Sequence, residues 1–169
     1  MTFQFLPQLP RHFTGHPSLI SGQKSADFGG QEFLIMEHDG HEDGFEIRFD
    51  THYSPFKQAC LMDNILGVGH EGYFYLFDLK ANSNLLTLKL DGYFGHVYLD
   101  DSSFYIADAS GLYCVDKSGK TIWENGNLGI DGVVIDKFAD EVIFGSGEWD
   151  PPGGWREFKL SKLTGELTK

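Results

Sequence analysis

Cysteine is scarce in this chain, and cationic residues are outnumbered. Only Cys60 and Cys114 occur among 169 residues, and Lys plus Arg number 13 against 25 Asp plus Glu. Two isolated thiols build neither a disulfide framework nor a Cys-x-x-Cys motif, so they are expected to remain unbonded to each other. A cytoplasmic location is the simplest account of them. The formal net charge of −12 works against binding nucleic acid or anionic lipid, because either needs Lys and Arg to displace counterions. No run approaches the ~20 apolar residues of a membrane span. The stretch MTFQFLPQLPRHF lacks a basic start, and Pro7 and Pro10 interrupt its apolar part, so it does not read as a signal peptide. The GxSxG elbow, HExxH and EF-hand spacings are also missing.

Apolar residues make up 41 % of the chain and aromatics 15 %, with 21 glycines. That composition suits a packed core with many turns. The most legible stretch is Phe104 to Asp116, FYIADASGLYCVD, where two apolar runs flank a short Gly-containing turn. This is the signature of an antiparallel hairpin. It recurs at Ile65–Asp78, at Glu141–Ser161 and, more weakly, at Glu32–Asp50. From Asp78 to Asp116 is 38 residues, and from Gly72 to Gly111 is 39. Phe45, Ile47 and Phe49 alternate with Glu46, Arg48 and Asp50, which places apolar and charged sets on opposite faces. Residues 1–31 read as a loop-rich lead-in with one or two short strands. Ser54 to Leu61 has the spacing of one short helix, with Pro55 in its first turn.

A period near 40 with short strands and regular turns predicts an all-β fold. The expectation is one domain over residues 1–169, built of about four blade-like antiparallel units in a small or incomplete propeller-like array. The phrase GLYCVDKSGKTIWE, Gly111 to Glu124, resembles a blade of the quinoprotein-type (PQQ-like) β-propellers. There a strand ending in Asp is followed by a Gly-containing turn and an aromatic-bearing strand. The resemblance implies fold only.

Several motifs invite chemistry. Gly67-Val68-Gly69-His70-Glu71-Gly72 fits G-x-G-x-x-G, but a strand follows where a dinucleotide site needs a helix, so these read as turn glycines. His38, Asp39, His41, Glu42 and Asp43 gather imidazoles and carboxylates suited to a divalent metal. A polar hairpin loop accounts for them equally well. Asp63, Asp100 and Asp101 sit at turns, where Asp bonds nearby backbone. No cofactor is expected. The loop GEWDPPGG, Gly147 to Gly154, is stiffened by two prolines around Trp149; it suits an interface anchor or a cap over its own blade.

If the four hairpin turns are equivalent, they emerge at one end. Asp39, Glu42, Asp43, Glu71, Glu148 and Asp150 would then form an acidic rim around Trp149. The leading expectation is a non-enzymatic module binding a basic protein partner. A bacterial immunity protein that neutralises a basic toxin is the specific case. Some immunity proteins against secreted amidase effectors resemble partial propellers, an analogy of fold. The alternatives are a small-ligand or metal-dependent enzyme using the rim, and a partial propeller that closes by self-association.

Overall fold

The computed structural model describes residues 1–38, 40–51 and 56–168. Its fifteen strands form four sheets. The first has the order β1-β3-β4-β2, from β1 (Thr2–Leu6), β2 (Ser18–Leu19), β3 (Gly30–His38) and β4 (His41–Phe49). The second runs β5 (Lys57–Met62), β6 (Ile65–His70), β7 (Tyr73–Asp78) and β8 (Ser83–Lys89). The third runs β9 (Phe94–Asp100), β10 (Ser103–Asp108), β11 (Leu112–Asp116) and β12 (Thr121–Asn125). The fourth has three strands, β13 (Val133–Ala139), β14 (Val142–Glu148) and β15 (Trp155–Ser161). Every pairing is antiparallel except β2 with β4. The fold is all-β, with four blade-like units as expected. The two strongest hairpins pair as their apolar runs and short turns predict, Ile65 opposite Asp78 and Phe104 opposite Val115.

The helix expected over Ser54–Leu61 is corrected in part. Ser54 and Pro55 lie outside the described residues, and Lys57–Met62 is strand β5. Ala59 and Leu61 pack toward the first sheet, while Cys60 and Met62 pack toward the third. A strand apolar on both faces has no period of two to read.

Each sheet buries its faces against its neighbours. Leu34, Met36, Phe45 and Ile47 of the first sheet meet Leu66, Val68, Tyr75 and Phe77 of the second. Phe74 and Leu76 of the second meet Phe94, Phe104 and Ile106 of the third. Tyr105, Leu112, Cys114 and Trp123 of the third meet Val133, Ile135, Ile143, Phe158 and Leu160 of the fourth. Among the described residues no such cluster joins the fourth sheet to the first, so the stack is open. Its outer faces are covered differently. The Phe13 ring lies on Gly44 of the first sheet, where an added Cβ would stand 2.4 Å from Phe13 Cζ. On the fourth sheet, the Lys137 and Lys159 ammonium groups lie 4.8 and 5.6 Å from the centre of the Phe144 ring.

Side chains also tie each sheet to the backbone of the next. The Gln58 amide donates to Val97 O and accepts from Val97 N, both at 3.0 Å. Ile135 N donates to Tyr98 Oη at 3.2 Å. On the outer strands, Asn84 donates to Ile20 O at 2.7 Å, and Trp123 Nε1 donates to Lys162 O at 2.7 Å.

The G-x-G-x-x-G stretch is corrected in its detail. Gly67 and Gly69 lie within β6 rather than in a turn. Their missing side chains make room for the third sheet: a Cβ at Gly69 would fall 2.0 Å from the Phe94 ring, and one at Gly67 3.0 Å from the Phe104 ring. Gly69→Ala should therefore overpack the junction of sheets two and three and cost about 1–3 kcal/mol. A urea-unfolding midpoint equal to that of the parent chain would contradict this.

Candidate functional site

The sheet-to-sheet connections define one end of the stack. Phe94 N donates to Glu71 O at 2.7 Å, and Leu90 N to Gly72 O at 2.9 Å. Leu128 N donates to Ser110 O, Gly132 N to Ala109 O, and Ile130 N to Glu148 O, at 2.8–2.9 Å. The β6–β7, β10–β11 and β14–β15 turns thus lie beside the links leading into β9 and β13. Glu71, Glu148, Trp149 and Asp150 belong to this end.

The first hairpin does not. Glu42 and Asp43 line a small cleft with Phe77, Leu79 and Asn82, beside the β7–β8 turn. From there β4 runs the length of the sheet to Phe49, whose ring centre lies 4.8 Å from that of His70. The adjoining Asp50 accepts from Tyr73 Oη at 3.1 Å. The β3–β4 turn therefore emerges at the opposite end from Glu71, and Asp39 lies outside the described residues. This corrects the expectation of four turns at one end. The cause is strand direction: β3 and β4 are the two middle strands of the first sheet, as β6 and β7 are of the second, but β4 is the strand that precedes β5 in the chain and ends beside His70 and Tyr73, where β7 begins. With β4 running opposite to β7, the turn that enters it lies at the other end.

The described residues among the candidate metal ligands can also be placed. His38 Nε2 lies 3.1 Å from Asp43 Oδ2, and the His38 and His41 rings are 6.4 Å apart. Among the described residues no group of three or more His, Cys, Asp or Glu side chains is placed to hold a metal ion. Asp63 pairs with Lys117, and Asp100 with Lys162. Cys60 and Cys114 are unpaired thiols, and burial pushes both upward, Cys60 to about 12.

At the Glu71 end, a buried acid does structural work. Asp108 is buried, and its carboxylate accepts from the backbone N–H groups of Asp91, Ser110 and Gly111 at 2.7–2.9 Å and from Tyr113 Oη at 2.9 Å. It fixes the β10–β11 turn and the link from β8 at once. Glu71 is likewise buried. Asp50, Asp91, Asp131 and Asp150 remain exposed around them. Sequence reasoning missed Asp50, Asp91 and Asp131, although they recur at intervals of 41 and 40 residues. It also missed Trp155, which is exposed, whereas Trp149 is half-buried with the Arg156 guanidinium 5.6 Å from its ring centre.

His70 occupies the junction between sheets one and two. Its side chain is fully buried, and Nε2–H donates to Glu32 Oε2 at 2.5 Å, while Lys57 Nζ donates to both Glu32 oxygens at 2.7–2.8 Å. Its Nδ1 is buried without a hydrogen-bond partner among the described residues. Desolvation holds the imidazole below its ordinary value, against the opposing pull of Glu32. For Glu32 burial acts upward, but the bonds from Lys57 and His70 outweigh it and the carboxyl sits low.

A cleft of about 850 Å³ lies between β2 and β8. Several of its polar groups are engaged: Ser18 with Asn82, Ser21 with Ser25, and Thr87 with Ser21 O. The Ser18 and Thr87 bonds tie β2 and the segment after it to the second sheet. Among the described residues no helix is long and apolar enough to cross a membrane.

Together these features define an open arc of four blade-like sheets, a β-propeller-like fold with exposed aspartates at one end. The structure is similar to that of BamB from Moraxella catarrhalis, with a TM-score of 0.55 and 10 % identity over 81 % of this chain and 42 % of that chain. The likeness is one of fold, and the chain spans less than half the length of that protein. No protein-family model matches the sequence, and no curated protein matches it.

Two outcomes are expected. Asp108→Ala leaves buried donors unsatisfied and should cost about 3 kcal/mol in chemical denaturation. His70, with a folded pKa below the unfolded value near ~6.5, contributes stability that is complete above that value and is lost as pH falls through the folded one. Urea midpoints at decreasing pH should thus decline more steeply for the parent chain than for His70→Gln. Parallel declines would remove His70 from the account.

Proposed function

We propose that this chain is a non-enzymatic protein-binding module that takes a basic protein partner at the acidic end of its arc. The observation that carries the reading is the exposure of Asp50, Asp91, Asp131 and Asp150 at the end where the sheet-to-sheet links gather. Glu148 and Trp149 stand among them. Fixed carboxylates of one sign speed the encounter with a basic surface and select against acidic ones. The narrower reading is an immunity protein that neutralises a basic toxin domain in the cytoplasm, in keeping with two unpaired thiols. Self-association finds less support, because charged Lys137, Glu157 and Lys159 stand on the outer side of the fourth sheet.

Oligo-lysine peptide should bind the chain, and oligo-glutamate should not. Binding should weaken with added salt, since exposed charges are screened over ~8–10 Å at physiological ionic strength. Reversing Asp91 and Asp150 to Lys should slow association, whereas reversing Glu42 and Asp43, at the other end, should leave it near the parent rate. The reverse pattern would move the binding surface to the β3–β4 turn. Protection of cells that produce a toxin encoded beside this chain tests the immunity reading, and unchanged toxicity would sink it.

A further inference from the structure

We propose that the partner surface is a ledge formed by the aromatic side chains Phe56, Tyr93 and Trp155, and that it takes arginine side chains of a basic protein. This rests on the reading above and specifies its surface and chemistry. Phe56, Tyr93 and Gly132 each immediately precede an inner strand, β5, β9 and β13 respectively. The three positions lie at the acidic end. The Phe56 ring is 6.2 Å from that of Tyr93 and 5.4 Å from that of His96. Gly132 has no side chain of its own, and Trp155 from β15 reaches over it. A Cβ built on Gly132 would stand 3.4 Å from Trp155 Cη2 and 3.8 Å from Tyr93 Oη. Gly132 thus stands between Trp155 and Tyr93, so the row of rings extends from sheets two and three to sheet four across a glycine.

Scattered exposed apolar side chains are ordinary on a soluble protein. Here Phe56, at one end of the row, is 44 % exposed and Trp155, at the other, 46 %. A compact apolar patch with a charged rim is the form of a protein interface. The rim sets the partner's sign. Tyr93 Oη donates to Asp131 O at 2.7 Å and lies 3.3 Å from Asp131 Oδ1, which holds that carboxylate beside the row. Exposed Asp91 flanks the same ring in sequence.

Carboxylates alone attract any cation. An aromatic face beside a carboxylate favours guanidinium, which stacks flat on the ring while its N–H groups reach the carboxylate in a fork; a compact, strongly hydrated ammonium does neither as well. The chain already uses this pairing internally, with Arg156 over Trp149. That contact engages Trp149 and leaves Trp155 as the more exposed indole of the hairpin.

The test compares nona-arginine with nona-lysine peptide by calorimetric titration at physiological salt. The parent chain should bind the arginine peptide more tightly by roughly three- to tenfold. Trp155→Ala should abolish that preference while both peptides still bind through charge. Asp131→Asn, which keeps the side chain's size, should weaken arginine binding and gives a second readout if Trp155→Ala folds poorly. Equal binding of both peptides by the parent chain, or a preference that survives both substitutions, would overturn the ledge and leave a charge-driven basic-partner surface standing. Binding of neither peptide would overturn both.

Discussion

The structure depends on the fact that its two middle β-sheets carry apolar residues on both faces. Such a sheet cannot be stable alone in water, and each of the two buries its faces against the sheets before and after it. The junctions share a plan. Large rings from one sheet enter space left by small residues or gaps in the next, as Phe94 does over Gly69. Around that contact, side-chain amides, hydroxyls and an indole close onto neighbouring backbone. Nearest-neighbour burial explains how an arc of four units holds together without meeting its own other end.

The two middle hairpins were legible because paired apolar runs, a short turn and a repeat of 38–39 residues agreed. The first hairpin was legible as a hairpin but not as a member of the series. A β3–β4 pair and a β6–β7 pair have the same local signature, and only the chain's course from Phe49 into the next sheet distinguishes them. That single ambiguity separated Glu42 and Asp43 from the other acids of the expected rim. Strand β5 was obscured for a related reason, since a strand buried on both faces carries no alternation. The recurring Asp91-Gly92 and Asp131-Gly132 pairs were visible in the sequence. Their meaning was not, because it comes from links that lie beside turns distant along the chain. Trp155 drew no notice because nothing local marks a strand residue whose ring crosses to another strand's glycine.

Acids at the Glu71 end fall into two sets. Asp108 is consumed by backbone donors and shapes the turns. The exposed link aspartates ride on the frame it fixes. The negative surface is thus rigidly placed, and rigid placement is what allows charge to select a partner's orientation as well as its sign.

The contacts of Gln58 and Tyr98 have a consequence for what else can reach the concave side. Inner strands such as β9 and β13 have one edge facing the axis of the arc, and an open arc leaves that edge in solvent. A bare edge is a template on which another extended chain can zip up, including a second unfolded copy of the same protein. The Gln58 amide occupies both the donor and the acceptor of Val97, and the Tyr98 hydroxyl occupies the Ile135 donor. An invading strand would have to displace these intramolecular bonds before making its own. The same side chains that join neighbouring sheets therefore act as guards against templated aggregation, a hazard that a closed ring avoids by geometry.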